Sequence, residues 1–143
     1  MNHIDTYIAE HGELTMTNVG ISMRPMIRQG RDMFTLVRKT EARCRRFDVV
    51  LYRRPSGQYV MHRVVKVRPA DYVILGDNCV SKEYGIRDED ILGVMTEFVR
   101  KGKKYSVEHK GYRAYAGLWY ALFPLRRFYK LCKRKIKRMV GRI

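Results

Sequence analysis

Ser22 and His62 are the two side chains of this chain whose pairing would do nucleophilic chemistry. A serine hydroxyl is a poor nucleophile near neutral pH and needs a base within hydrogen-bonding reach to take its proton. His62 is the one histidine in the strand-rich middle of the sequence, while His3, His11 and His109 lie outside any such pattern and read as surface residues. An imidazole with a pKa near ~6.5 is mostly unprotonated at pH 7, so it needs less burial to act as base than a lysine does. Lys66 shares a strand face with His62 but would stand roughly 13 Å away, too far to replace it. Together a hydroxyl and an imidazole perform acyl transfer, provided a carboxylate orients the ring and backbone donors meet the developing oxyanion. Each residue also has a plainer reading, Ser22 as a turn cap ahead of Pro25 and His62 as a satisfied core histidine. Their order with Gly76-Asp77-Asn78 favours catalysis. Cys79, next to Asn78, is a second nucleophile by residue type, but Ser22 already fills that role.

Short strands must position these groups. Ile4, Tyr7, Ile8 and His11 at helical spacing, stopped by Gly12, predict a short amphipathic helix. Leu14 and Met16, then Val19 and Ile21, predict a strand leading to Ser22, with Pro25 and Gly30 bracketing a turn. Five further strands are expected at Met33–Val37, Phe47–Tyr52, Gln58–Val67, Asp71–Leu75 and Ile91–Val99, with another over Lys103–His109. Turn residues such as Pro55-Ser56-Gly57 separate them. The fold class is mainly β, an antiparallel domain over residues 1–110 with a short N-terminal helix and a basic C-terminal helix over 111–143.

Gly20-Ile21-Ser22-Met23-Arg24-Pro25, followed by Gly30, resembles the nucleophile motif of type I signal peptidases and LexA-like self-cleaving repressors. Phe47-Asp48-Val49-Val50 is similar to their "GDVV" strand, Gly76-Asp77-Asn78 to their "GDN" turn, and Asp90-Ile91-Leu92-Gly93-Val94 to their closing strand. His62-Arg63-Val64-Val65 resembles the base segment of the histidine-type branch, found in endoplasmic-reticulum and archaeal signal peptidases. The resemblance spans residues 14–99 and implies a serine endopeptidase that needs no metal and no organic cofactor. It makes Asp77 the first choice to orient His62, with Asp88 and Asp90 as alternatives. Gly20, Met23 and Pro25 are the expected oxyanion and substrate-binding positions, beside the backbone N–H of Ser22. Two departures stand out: Gly20 replaces the serine that some bacterial members use as an oxyanion donor, and Cys79–Gly85 replaces the family's "S-x-D-S-R" run. The implied substrate is a leader or signal segment with small residues at the cut.

The 143 residues are enough for one core, and the formal net charge of +16 is unevenly placed. Residues 1–99 carry 15 Lys/Arg against 13 Asp/Glu, whereas residues 100–143 carry 15 against one. Three scattered cysteines suggest neither a disulfide framework nor a zinc knuckle. Met1–Glu13 has no apolar run of signal-peptide or membrane-span length, so a cytoplasmic, peripherally membrane-bound protein is expected. Ala114–Phe123 is apolar and aromatic, Arg126–Arg142 has nine basic residues, and residues 112–143 are therefore expected at an anionic membrane surface. Packing of this segment on the domain, or contact with nucleic acid, are the alternatives, nucleic acid being disfavoured. Self-cleavage at Ala116-Gly117 is a further expectation, as is a LexA-like regulator or a non-catalytic binding module in place of a peptidase.

Overall fold

The computed structural model describes residues 3–17 and 20–141. Eight strands form one antiparallel sheet: β1 Glu13–Thr17, β2 Met33–Arg38, β3 Val49–Arg53, β4 Tyr59–Val67, β5 Tyr72–Leu75, β6 Glu83–Ile86, β7 Ile91–Arg100 and β8 Lys103–Ser106. The strand order is β1-β2-β7-β3-β4-β5-β6, with β8 added to β7. β3 lies between β7 and β4, which explains why Val49, Val50, Leu51 and Tyr52 are all buried rather than alternating. One face of β3 packs Val49 and Leu51 with Met23, Ile27, Phe34 and Leu36. The other packs Val50 and Tyr52 with Val64, Tyr72 and Ile74. At about 1.5–3 kcal/mol for each large apolar side chain removed from water, these two clusters dominate the stabilisation. Helix α1, His3–His11, covers the first of them through Ile8.

Most elements stand where the hydrophobic pattern puts them. Phe47 adopts a left-handed φ of 76°, so its strand begins only at Val49. β8 ends at Ser106 because His109 turns to cap the next helix, its Nδ1 accepting from the N–H of Gly111 at 3.1 Å. Val19, expected in the strand before Ser22, lies outside the described residues; β1 ends at Thr17, and Ser22 sits in a turn. β6 was not foreseen, since Glu83-Tyr84-Gly85-Ile86 has no alternating apolar pattern.

The basic segment folds into α2, Lys110–Ala121, and α3, Phe123–Val140. Gly111 falls within the first turn of α2 rather than at a boundary, and α2 packs on the domain through buried Tyr112 and Ala116. The Ala116-Gly117 bond is therefore helical and half enclosed, not presented as an extended peptide for self-cleavage. No helix among the described residues is long and apolar enough to cross a membrane.

Candidate active site

His62 is carried by β4, where it pairs with Val50 across the β3–β4 ladder. Residues opposite one another share a face, and those two apart share it too, so Tyr52 on β3 is the diagonal neighbour of His62. The Tyr52 hydroxyl lies 3.2 Å from His62 Nδ1, with Glu83 Oε1 3.9 Å from the same nitrogen. Tyr52 also hydrogen-bonds Glu83, and that carboxylate is gripped by the Arg54 guanidinium. With its O–H donated to Glu83, Tyr52 has an oxygen lone pair to accept from Nδ1–H, an arrangement that favours the Nδ1–H tautomer of His62. Nε2 is left as the basic nitrogen.

Nε2 lies on the side of Cys79 and Gly76. Ser22 and His62 line one cavity of about 440 Å³, with Cys79 and an apolar wall that includes Met16, Phe34, Leu51 and Met61. The Ser22 loop is held there by the Gly76-Asp77-Asn78 turn: the Asn78 backbone N–H donates to the Ser22 carbonyl at 2.8 Å, and Asn78 Nδ2 donates to the Ile21 carbonyl at 3.1 Å. Among the described residues no hydrogen bond reaches the Ser22 hydroxyl, and Cys79 Sγ lies 3.9 Å from Nε2. Gly76 is required by closeness. A Cβ there would stand 2.9 Å from His62 Nε2 and 2.6 Å from Cys79 Sγ, nearer than real Cβ atoms come.

Burial sets the proton balance. Desolvation pushes His62 down to about 4, with Arg54 adding to the effect and Glu83 opposing it. The ring is thus neutral at pH 7, the form a general base needs. Burial raises the Cys79 thiol, so a thiolate–imidazolium pair is disfavoured on both sides. Burial alone would raise Glu83, but the hydrogen bonds from Arg54 and Tyr52 outweigh it and keep the carboxyl below its usual range.

Asp77 does not meet His62. Side chains of successive strand residues point to opposite faces, so Arg63 turns away from His62 and takes the Asp77 carboxylate for itself. Arg63 Nε and Nη2 donate to its two oxygens at 2.8 and 2.9 Å, and Tyr115 donates at 2.9 Å. Both members of the pair are about 2% exposed. Asp88 accepts from Tyr72 at 2.6 Å and pairs with Lys39, and Asp90 accepts from the Arg87 N–H at 2.9 Å. The carboxylate nearest the imidazole is Glu83, on the unforeseen β6.

The expected substrate positions divide. Met23 has its side chain fully buried in the core, and Pro25 lines a separate cavity with Met26, Tyr112 and Tyr115. Neither side chain lines the Ser22–His62 cavity. Gly20 has a φ of 92° and donates its N–H to Gln29. Tail residues, in contrast, reach the site's supporting turn. Trp119 Nε1 and Arg126 Nη1 donate to the Asp77 carbonyl at 2.8 and 3.0 Å, and Lys130 bonds both oxygens of Asn78. Among the described residues no cluster of three or more His, Cys, Asp or Glu is placed to hold a metal ion. Comparison with protein-family models, with curated proteins and with solved structures returned no match.

Proposed function

We propose that the chain is a serine endopeptidase in which Ser22 is the nucleophile and His62 the general base. One observation supports this reading: Ser22 and His62 line one cavity, and the imidazole there is held at Nδ1 by Tyr52 and kept neutral by burial. Ser22 Oγ attacks the scissile carbonyl while its proton passes to His62 Nε2. The backbone N–H of Ser22 meets the oxyanion, and the imidazolium is stabilised by Tyr52 and Glu83 before returning the proton to the leaving amine. Water then hydrolyses the acyl-enzyme with the same base.

The substrate is an extended leader or signal segment with small residues at the cut. β1 is an edge strand of the sheet and lines the cavity through Met16 and Thr17, which suits addition of a peptide as a further strand. The apolar wall of Met16, Phe34, Leu51 and Met61 suits uncharged side chains. No cofactor takes part in these steps.

An acylating serine probe tests the assignment. Labelling of the wild type at Ser22, lost in Ser22→Ala and His62→Ala but kept in Cys79→Ala, is the expected result, together with loss of leader cleavage in the same two variants. Labelling of Cys79, or leader cleavage that persists in Ser22→Ala, overturns it.

A further inference from the structure

Helix α3 presents a surface that nothing in the fold covers. Of its 18 residues only Phe123 is buried. Leu125, Phe128, Tyr129, Ile136, Met139 and Val140 are each 61–70% exposed. At 3.6 residues per turn these six fall within about a third of the helix circumference. Leu118 and Leu122, both exposed, extend the stripe back through the end of α2. The rest of the circumference is cationic: Arg127, Lys133, Arg134, Lys137 and Arg138 among others, with no acidic residue anywhere on α2 or α3.

The stripe also points away from the domain. Trp119 and Arg126 bind the Asp77 carbonyl and Lys130 binds Asn78, so the side of the helix opposite the stripe is the one clamped to the active-site turn. We infer that α3 lies in the plane of an anionic lipid bilayer, its apolar stripe among the acyl chains and its lysines and arginines at the headgroups. An interfacial helix combines these two features, a continuous apolar face and a strongly basic remainder, whereas a spanning helix needs a length of apolar sequence that α3 lacks. Nucleic acid would satisfy the cations but leave Leu125, Ile136, Met139 and Val140 in water, since none of these stacks on a base. A second copy packed α3 against α3 would set two basic helices side by side with no acidic residue on either. A bilayer of acidic lipid answers both the charge and the apolar area.

The inference stands apart from the peptidase reading, because none of the stripe residues lines the cavity of Ser22 and His62. Flotation with phosphatidylcholine vesicles, with and without phosphatidylglycerol, tests it on the full chain. Expected are at least about tenfold stronger binding to the anionic vesicles and a loss of most binding as salt is raised. A Leu125→Glu/Phe128→Glu variant, altered only at exposed positions and retaining wild-type circular dichroism, is expected to lose about tenfold or more in affinity, while Ser22→Ala binds as the wild type does. Equal binding to both vesicle types, or an unaffected double variant, overturns the inference. So does a concentration-dependent dimer that the same double variant abolishes in the absence of lipid, or capture by single-stranded RNA that the double variant leaves intact and vesicles do not compete. If vesicle binding fails while Ser22 is still acylated, only the membrane seat is lost; if acylation fails while vesicles bind, only the peptidase is.

Discussion

His62 and Arg63 are neighbours on β4, yet each anchors a different polar cluster on its own side of the strand. His62 meets Tyr52, Glu83 and, through them, Arg54; Arg63 meets Asp77, Tyr112 and Tyr115. The first cluster opens on a cavity through His62, an imidazole that burial keeps unprotonated. The second is sealed: its cation and carboxylate face each other with their hydrogen bonds filled, and α2 closes over them. The difference teaches which carboxylate does what. Glu83 lies 3.9 Å from His62 Nδ1 with its side chain 26% exposed, and a carboxylate so placed would stabilise an imidazolium. Asp77 neutralises a buried guanidinium and supports the turn whose Asn78 holds the Ser22 loop.

The largest effect that separates the clusters is on stability. Asp77→Ala leaves the Arg63 charge buried without its partner, a change that costs about 3–5 kcal/mol. Urea unfolding of the variant is expected to show that loss. If Asp77 were instead the orienting carboxylate of His62, the same variant would keep its stability to within about 1 kcal/mol and lose turnover alone.

Acid titration sharpens the other side. The unfolded imidazole takes its proton near 6.5, the folded one only at about 4, so between these values the unfolded state binds more protons. Stability is therefore full above pH 6.5 and falls as pH drops toward 4, by on the order of 3 kcal/mol from this group. Unfolding curves of wild type and His62→Gln at pH 7 and pH 5 check it, because carboxylates titrate alike in both proteins. A difference that does not change with pH would mean that the ring is not desolvated. Glu83→Gln removes the charge that raises His62, and the acid limb of kcat/KM is expected to move to lower pH.

The pieces of this arrangement were unequally legible in the sequence. Ser22, His62 and Asn78 stand in short motifs whose order alone suggested a shared site, and the structure puts the first two on one cavity with the third tethering the serine loop. Asp77 was legible as a motif residue but not as a partner, since a one-residue step along a strand reverses the face and His62-Arg63 gives no sign of which residue the carboxylate will meet. Glu83 was hidden because β6 is short and without alternation, and because Cys79–Gly85 reads as a loop. Tyr52 looked like one more apolar strand residue. In the tail, the apolar and aromatic run Ala114–Phe123 suggests membrane contact within residues 112–143, yet Tyr115, Trp119 and Phe123 turn toward the domain. The free apolar stripe continues into the basic stretch, where it is diluted by charge in the sequence and becomes visible only once the helix sorts the two kinds of residue onto separate faces.

The smallest expected effect concerns the link between the sealed cluster and the open one. Lys130 reaches back from α3 to both oxygens of Asn78, and Asn78 in turn donates to the carbonyls of Ser22 and Ile21. Lys130→Met retains the aliphatic stem but removes the ammonium, so the turn loses one of its outer restraints while the core is untouched. On the proposed mechanism Ser22 then spends less time within reach of His62 Nε2. That lowers kcat, which depends on alignment, more than KM, which depends on the cavity wall. A drop of about 3- to 10-fold in kcat is expected, with KM nearly unchanged and rescue by Lys130→Arg, whose guanidinium can donate to the same two oxygens. Steady-state kinetics on a leader peptide at several pH values decide the matter. A purely structural role would lower kcat and stability together and respond to neither substitution selectively, whereas loss of alignment leaves the acid limb, set by His62 and Glu83, where it was.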